Sequence, residues 1–348
     1  MTETATPARR TAPGGSDRPL TEAYDTALLD LDGVVYAGPH AIEHAVDSLA
    51  AARTAGMRLA YVTNNASRPP RVVAEHLTEL GVPAEPADVI NSAQAAARVV
   101  AEKVPAGAKV LVVGGLGLEE ALAERGLVAV RSLAEEPLAV VQGFDPSVGW
   151  AQLAEAAYAV RGGLPWVASN TDMTVPTARG IAPGNGTLVA AVRAAAGVDP
   201  EVAGKPLPPM HRETVLRTGA RRPLVVGDRL DTDIEGAFNG GVDSLLVFTG
   251  VTTPAQLLAA PVEHRPTYLA ADLRGLLVAQ PAVTAVTAAG GGFACGGWTA
   301  VAEGGALRLT GAGDRWDGLR ALCAAAWTVL DADGGPVDGR KALAELGF

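Results

Sequence analysis

The stretch that decides the fold is TALLDLDG at residues 26–33, in which a short strand-like run leads into two aspartates and a glycine. Similar apolar runs, each ended by polar residues or glycine, recur at 57–65, 108–115, 137–144, 164–170, 222–228 and 242–250. Segments rich in Ala, Leu and Glu, with helical spacing, lie between these runs. Strands that alternate with helices predict βαβ units, and near-continuous apolar strands predict a sheet covered on both faces. The sequence therefore predicts an α/β fold built on a mainly parallel sheet.

The residues that follow each apolar run matter most, because ligands of such folds bind beyond the carboxyl ends of the strands. DLDG (30–33) ends the first run, and TNN (63–65) ends the second. GDRLDTD (227–233) ends a later run, and GKP (204–206) precedes that run. One edge of the sheet is therefore expected to collect carboxylates, a hydroxyl group and one lysine.

The carboxylates of this set can support phosphoryl transfer. Asp30 and Asp32 can point into one crevice because Gly33 permits a turn, and Asp228 can complete an oxygen-rich site. Mg²⁺ prefers such hard ligands, and Mn²⁺ or Co²⁺ can substitute for it. Asp30 can then act as the nucleophile that forms an aspartyl-phosphate. Asp32 can protonate the leaving oxygen and later activate water.

The remaining motif residues suit the binding of a phosphate group. The Thr63 hydroxyl and the amide that follows it, that of Asn64, are predicted to hold phosphate oxygens. Lys205 adds a positive charge where negative charge spreads over the equatorial oxygens. Asn65 either joins this phosphate site or caps the next helix.

In their order and positions, the four motifs resemble those of the haloacid dehalogenase (HAD) superfamily of phosphatases. Segments TNNASR (63–68), GFDP (143–146) and PGNGTLVAA (183–191) narrow the resemblance to its NagD-like, C2-capped branch. That branch includes phosphoglycolate, glycerol-phosphate and pyridoxal phosphatases. The resemblance covers roughly residues 25–275 and implies a HAD Rossmann-like core.

The resemblance also implies a role for each matching residue. Asp30 resembles the nucleophile and a Mg²⁺ ligand, and Asp32 resembles the acid/base whose backbone carbonyl also reaches the metal. Asp228 resembles the third protein ligand, and Asp233 a residue that orients the site. The positions that match the phosphate clamp and its stabilising cation are Thr63, Asn64 and Lys205.

Spacing predicts where a cap is inserted. About 30 residues separate Asp30 from Thr63, which is room for one helix and one strand. About 140 residues separate Thr63 from Lys205, far more than one crossover needs. This excess predicts an α/β cap of C2 type that closes over the site, excludes water and selects the leaving group.

Four parts are therefore expected: a flexible N-terminal tail (1–22), a discontinuous phosphatase core (23–95 and 184–278), the C2-type cap (96–183) and a small α+β C-terminal module (281–348). In the cap, Asn170 and Asp172 mark a loop that either turns the chain or faces the substrate.

The sequence of the C-terminal module predicts two short strands followed by an amphipathic helix. It resembles the short GNAT-like extension of actinobacterial members of this phosphatase branch. Residues 308–313 match the acetyl-CoA loop pattern R-x-x-G-x-G. However, Arg308 lies in an apparent strand, and the module is much shorter than a complete acetyltransferase. An oligomerisation or regulatory role is therefore favoured over acetyl transfer.

Composition limits the partners and the compartment. With 28 Lys and Arg against 38 Asp and Glu, the net charge of −10 argues against nucleic acid and anionic membranes. The N-terminal residues lack a signal peptide, and no apolar stretch is long enough for a membrane span. Cys295 and Cys323 cannot form a disulfide framework. The cytoplasm is therefore predicted.

The predicted protein is a Mg²⁺-dependent phosphomonoesterase that acts on a small phosphorylated metabolite. Glycerol 3-phosphate is the first substrate, since the extension most resembles that of actinobacterial glycerol 3-phosphate phosphatases. Phosphoglycolate, sugar, nucleotide and pyridoxal phosphates are alternatives, and Val175 disfavours pyridoxal because a histidine precedes the cap-loop proline in pyridoxal phosphatases. The cap and tail offer surfaces for a homodimer. An alternative of another class is a ligand-sensing or regulatory protein that acts through the C-terminal module.

Overall fold

The structure is a computed structural model that describes residues 10–177, 179–287, 291–333 and 335–348. The strands are β1 (Thr26–Leu29), β2 (Tyr36–Ala37), β3 (His40–Ala41), β4 (Arg58–Thr63), β5 (Val89–Asn91), β6 (Lys109–Val113), β7 (Val128–Val130), β8 (Ala139–Gln142), β9 (Trp166–Ala168), β10 (Thr174–Thr177), β11 (Gly180–Pro183), β12 (Glu201–Val202), β13 (Pro223–Gly227), β14 (Asp243–Val247), β15 (Tyr268–Ala270), β16 (Thr284–Val286), β17 (Gly292–Cys295), β18 (Trp298–Glu303) and β19 (Ala306–Gly311). The α-helices are α1 (Leu20–Ala23), α2 (Ala45–Thr54), α3 (Pro70–Glu79), α4 (Ser92–Ala101), α5 (Leu116–Glu124), α6 (Trp150–Arg161), α7 (Asn185–Ala196), α8 (Pro208–Thr218), α9 (Glu235–Gly240), α10 (Pro254–Leu258), α11 (Arg315–Asp333) and α12 (Arg340–Glu345).

The chain forms two compact units, Met1–Ala60 with Ala220–Phe348, and Tyr61–Gly219. The main sheet has the strand order β15-β14-β13-β1-β4-β5, and the division between the units falls within β4. The pairs β1–β13, β13–β14, β14–β15 and β4–β5 are parallel. Each of the seven apolar runs contains a strand, so the predicted parallel α/β core is confirmed.

The C-terminal part of the first unit has more strands than the sequence predicts. The expectation of two strands is wrong, because β16-β17-β18-β19 form a four-stranded antiparallel sheet. Glycines reverse the chain at both ends of β18, with a φ of 53° at Gly296 and 61° and 77° at Gly304 and Gly305. The predicted helix is confirmed as α11. Its residues share one apolar cluster with Leu246 and Leu269 of the main sheet.

From Arg10 onward, the N-terminal segment makes specific contacts with the first unit. The Gly14 N–H donates to the Thr267 carbonyl at 2.7 Å, and the Ser16 N–H donates to the Gln280 carbonyl at 2.8 Å. Leu20 in α1 is fully buried. The described part of the predicted tail is therefore packed, while residues 1–9 lie outside the described residues.

The second unit contains a parallel sheet of its own, with the order β12-β9-β8-β6-β7. Leu111, Val140 and Trp166 form its core with apolar residues of α6 and α7. An exposed hairpin, β10 and β11, precedes α7. Strands β6 to β11 fall in the segment predicted to be the cap, and the boundaries of that cap stay a prediction.

Across the part of the chain that the structure describes, every helix is too short or too polar to cross a membrane.

Candidate active site

Three carboxylates meet at the carboxyl ends of two neighbouring parallel strands. Asp30 follows β1 and Asp228 follows β13, and the Asp30 N–H donates to the Val226 carbonyl at 2.9 Å. With Asp233, they each offer an oxygen, and these oxygens lie within 4.8 Å of one another. Asp228 and Asp233 are buried, whereas Asp30 is partly exposed. The parallel register of β1 and β13 thus creates an acidic cluster that opens toward solvent on the Asp30 side.

Asp228 is held in place by the chain around it. The Val251 N–H donates to its Oδ2 at 2.7 Å. Gly33, with a φ of 87°, approaches so closely that a Cβ there would lie 2.6 Å from the same oxygen. A Cβ at Gly250 would overlap that carboxylate as well. These two glycines therefore provide the space for a buried carboxylate.

The donor set fits a hard divalent cation. Buried carboxylates this close repel one another, and a cation offsets that repulsion together with the cost of their burial. Oxygen ligands in this number suit Mg²⁺, which retains several waters, and they accept Mn²⁺ or Co²⁺ too. Asp30 and Asp228 would hold the ion, and Asp233, for which the sequence predicts an orienting role, lies close enough to bind it too.

Asp233 and Asp32 occupy different surroundings. Asp233 lies in a π-helical turn, Leu230–Ile234, and its Oδ2 accepts the Arg229 N–H at 3.2 Å. Single π-helical turns are rare and often occur at functional sites. Asp32 is exposed, and its carboxylate is not among those of the cluster within the described residues. Its side chain can therefore exchange protons with a substrate or with water.

In the second unit, hydrogen bonds connect the residues that are predicted to bind phosphate. Thr63 ends β4, is nearly buried, and accepts the Asn65 N–H on its Oγ1 at 3.1 Å. The side chain of Asn64 binds both the N–H of Lys205, at 2.8 Å, and its carbonyl, at 3.1 Å. The Lys205 Nζ donates to the carbonyl of Val62 at 3.2 Å. The ammonium group therefore lies at the end of β4, beside the threonine.

Comparison with known proteins places this geometry in a family. Residues 27–128 match a model described as haloacid dehalogenase-like hydrolase, and residues 202–276 match a HAD-hydrolase-like model. Residues 295–348 match a GCN5-related N-acetyltransferase-like domain. Over 323 residues the chain is 44% identical to a D-glycerol 3-phosphate phosphatase of Mycobacterium tuberculosis, covering 90% of this chain and 89% of that protein.

The chain belongs to the haloacid dehalogenase-like hydrolases.

Further relatives agree with this membership. An acid sugar phosphatase of Staphylococcus aureus is 38% identical over 252 residues, which cover 72% of this chain and 95% of that protein. A crystal structure of the glycerol phosphate phosphatase of M. tuberculosis in complex with magnesium has a TM-score of 0.85 at 42% identity. The match covers 94% of this chain and 99% of that one. A p-nitrophenyl phosphatase from Archaeoglobus fulgidus has a TM-score of 0.67 at 28% identity, over 73% of this chain and 98% of its own.

In this HAD-like hydrolase, the predicted site residues Asn65 and Asn170 form hydrogen bonds within the protein, and Asp172 lies beside an exposed hairpin. The side-chain oxygen of Asn65 accepts both the N–H and the hydroxyl of Ser67, at 2.9 and 2.7 Å, which is an Asx turn. It does not cap the next helix, because α3 begins at Pro70 and has Pro69 at its N-cap. Asn170 is buried, and its Nδ2 donates to the Asn64 carbonyl at 2.7 Å. Asp172 is half-buried and borders the exposed hairpin. Asp172 therefore suits a substrate contact better than Asn170 does.

Sequence reasoning missed the contacts that position the HAD-like motifs. Ser92 donates to the Asn64 carbonyl at 2.5 Å, and the loop at 249–251 holds Gly33 and Asp228. A serine at the start of a helix and the run Thr-Gly-Val-Thr-Thr carry no local signal of such roles. These roles become visible only from the hydrogen bonds that Ser92 and the loop make to residues distant in the sequence.

Proposed function

We propose that this protein is a Mg²⁺-dependent phosphomonoesterase that hydrolyses glycerol 3-phosphate to glycerol and phosphate. The observation that carries the proposal is the acidic cluster of Asp30, Asp228 and Asp233 at the end of the parallel sheet. The 44% identity to a D-glycerol 3-phosphate phosphatase, along 90% of the chain, supports the substrate.

Asp30 acts as the nucleophile and Asp32 as the acid and base. A Mg²⁺ ion held by the acidic cluster would screen the phosphate charge and so let the anionic carboxylate of Asp30 approach phosphorus. A carboxylate oxygen of Asp30 attacks phosphorus, the bond from phosphorus to the glycerol oxygen breaks, and Asp32 gives that oxygen a proton. Asp32 then takes a proton from water, whose oxygen attacks phosphorus of the aspartyl-phosphate. Phosphate leaves, and Asp30 is restored as a carboxylate.

Thr63, Asn64 and Lys205 bind the transferred group. The hydroxyl of Thr63 and the amide of Asn64 accommodate phosphate oxygens, and Lys205 offsets the charge that develops on them. The side chain of Asn64 binds both the N–H and the carbonyl of Lys205 and so positions this cation. The backbone N–H of Asn64 is the group that binds the phosphate.

Asp172 and the hairpin that follows it select the leaving group. Met173 and Ile181 are 57% and 74% exposed there, beside the half-buried carboxylate of Asp172. A surface that combines exposed apolar side chains with a carboxylate suits a small polyol. A sugar phosphate is the second candidate, because the acid sugar phosphatase shares 38% identity with the chain.

The contacts of the C-terminal module favour a role other than acetyl transfer. Residues 312–314 lead from β19 into α11, as the R-x-x-G-x-G pattern requires, but the Asp314 carboxylate accepts the Trp316 N–H at 2.7 Å. A carboxylate thus occupies the helix N-terminus to which a pyrophosphate would bind. Arg308 points to the same conclusion, since it pairs with Glu303 at 2.9 Å within the strands.

The proposal includes a homodimer in the cytoplasm. Trp150 and Tyr158 of α6 are 79% and 56% exposed, which supports self-association through that helix. Cys295 and Cys323 are free, as in a reducing compartment. Light scattering of the parent and of Trp150→Glu tests the dimer: a monomeric parent would refute it.

Phosphate release tests the function. The parent and Asp30→Asn are assayed with Mg²⁺ on glycerol 3-phosphate, phosphoglycolate, glucose 6-phosphate, a nucleoside monophosphate and pyridoxal phosphate. We expect the highest kcat/KM with glycerol 3-phosphate and no turnover by Asp30→Asn. An Asp30→Asn protein as active as the parent would overturn the mechanism, and a dominant substrate of another class would overturn only the substrate.

A further inference from the structure

The loop after β14, residues 248–252, is bonded to both sides of the acidic cluster. The hydroxyl of Thr249 donates to the carbonyl of Gly33 at 2.5 Å. Two residues later, the Val251 N–H donates to Asp228 Oδ2 at 2.7 Å. The loop thus joins the turn that carries Asp30 and Asp32 to the buried carboxylate of Asp228. A displacement of this loop must change the spacing of the oxygens that would bind the metal.

The base of this loop packs against the C-terminal module. The ring of Phe248 lies 5.0 Å from that of Trp316, which in turn lies 5.1 Å from that of Phe348. The guanidinium of Arg315 lies 3.7 Å from the centre of the Phe348 ring. Phe248 is therefore the point at which an aromatic cluster of the module meets the loop that holds Asp228.

The segment that carries Asp233, the third carboxylate of the acidic cluster, also packs against the C-terminal module. Asp233 lies in the π-helical turn, and its neighbour Ile234 is 1% exposed. Ile234 belongs to the apolar cluster that contains Leu319 of α11, and Leu230, at the start of the turn, packs against that cluster. Both segments that position buried carboxylates are thus supported by side chains of the C-terminal module.

We propose that the C-terminal module sets the affinity of the phosphatase site for its divalent cation, with Trp316 as the positioning residue. The inference rests on the metal site of the proposed function. Mg²⁺ demands near-ideal octahedral geometry, so small changes in ligand spacing weaken binding. Close-packed interiors transmit such displacements, and residues that support ligands affect metal affinity by about 10- to 100-fold.

The test compares metal binding by the full-length parent, Trp316→Ala and Phe293→Ala. Phe293 of β17 packs against the same apolar cluster, so its substitution removes an aromatic ring from the module as a matched control. Mn²⁺ binding to chelator-treated protein is followed through the electron paramagnetic resonance signal of the free ion. Urea unfolding of each variant reports its stability, and phosphate release at saturating metal reports kcat.

We expect Trp316→Ala to raise the Mn²⁺ dissociation constant about tenfold, while kcat at saturating metal stays within about threefold of the parent. Phe293→Ala should lose stability but keep the parent's affinity for Mn²⁺. Trp316→Phe, which retains a ring against Phe248, should restore most of that affinity. This pattern separates positioning from a general loss of stability.

Equal Mn²⁺ affinity in Trp316→Ala and the parent would overturn the inference and leave the proposed function intact. Equal losses in Trp316→Ala and Phe293→Ala would overturn it too, since they would reflect stability alone. If Trp316→Ala does not fold, Phe248→Leu takes its place in the comparison and is judged by the same outcomes. A parent that binds no Mn²⁺ would refute the metal site itself, and this inference with it.

Discussion

Asn64 binds both polar groups of the Lys205 backbone, accepting its N–H at 2.8 Å and donating to its carbonyl at 3.1 Å. The Asn64 carbonyl is in turn held by Ser92 and by Asn170, at 2.5 and 2.7 Å. The position of the only motif lysine is therefore set by an asparagine about 140 residues earlier in the chain.

Replacing Asn64 by alanine should reduce kcat for glycerol 3-phosphate by about 100-fold, because a misplacement of about 1 Å of a group in the site can cost that much. Lys205 would lose the two bonds that Asn64 makes to its backbone. The measurement is steady-state phosphate release at saturating Mg²⁺, with KM determined separately from kcat.

Asn65→Ala is the matched control for this change. Its side chain bonds to Ser67, so the substitution should affect stability more than kcat. If Asn64→Ala keeps kcat within threefold of the parent, Asn64 does not position the lysine.

Replacing Gly33 by alanine should weaken Mn²⁺ binding by at least about tenfold, because the new Cβ would crowd the carboxylate of Asp228. Gly38→Ala controls for backbone strain, since Gly38 has a φ of 59°, also in the left-handed region, but no atom within 4 Å of the position of its Cβ. Both variants should lose about 1 kcal/mol of stability from that strain. Only Gly33→Ala should lose metal affinity in a Mn²⁺ titration, and similar affinities in the two variants would contradict this reading.

Replacing Glu213 by glutamine should reduce the free energy of unfolding by about 3 kcal/mol, because three half-buried guanidinium groups lose the buried charge that compensates them. Glu213 is fully buried in α8 and pairs with Arg98, Arg125 and Arg217. Glu124→Gln is the control, since Glu124 pairs with Arg217 but its side chain is 48% exposed. We expect less than about 1 kcal/mol for that variant, and equal losses of unfolding free energy in urea would disprove a special role of Glu213.

The same carboxylate should make stability depend on pH. Burial alone raises the pKa of Glu213, but hydrogen bonds from Arg98 and Arg217 and the charge of Arg125 outweigh it and hold the pKa below the ordinary value of 4.5. A carboxyl whose pKa is lower when folded contributes stability above its unfolded pKa and loses it as the pH falls through the folded pKa. The difference in unfolding free energy between the parent and Glu213→Gln should therefore be constant from pH 7 to about pH 5 and shrink at lower pH. A difference that is unchanged down to pH 3 would show that Glu213 does not titrate with unfolding.

The sequence was most informative where a local pattern is repeated. The seven apolar runs gave strands because a buried parallel strand needs several consecutive apolar residues. It does not show β5, β7 and β15, since three residues are too short to show a period. The equally short β9 is found because it lies within the longer apolar run 164–170. The sequence also predicted too few strands in the C-terminal module, where paired glycines are turns between strands, such as Gly304 and Gly305.

The motif residues were found because the chemistry of a strand end restricts which side chains can stand there. By themselves, TALLDLDG, TNN, GKP and GDRLDTD predict the parallel α/β core, the carboxylates and the lysine. What surrounds those residues was decided by tertiary structure. Val251 reaches Asp228 and Phe248 meets Trp316 across long stretches of chain. Such contacts leave no mark on local composition or periodicity, because a backbone amide or an aromatic ring can bond to whatever the folded chain brings beside it.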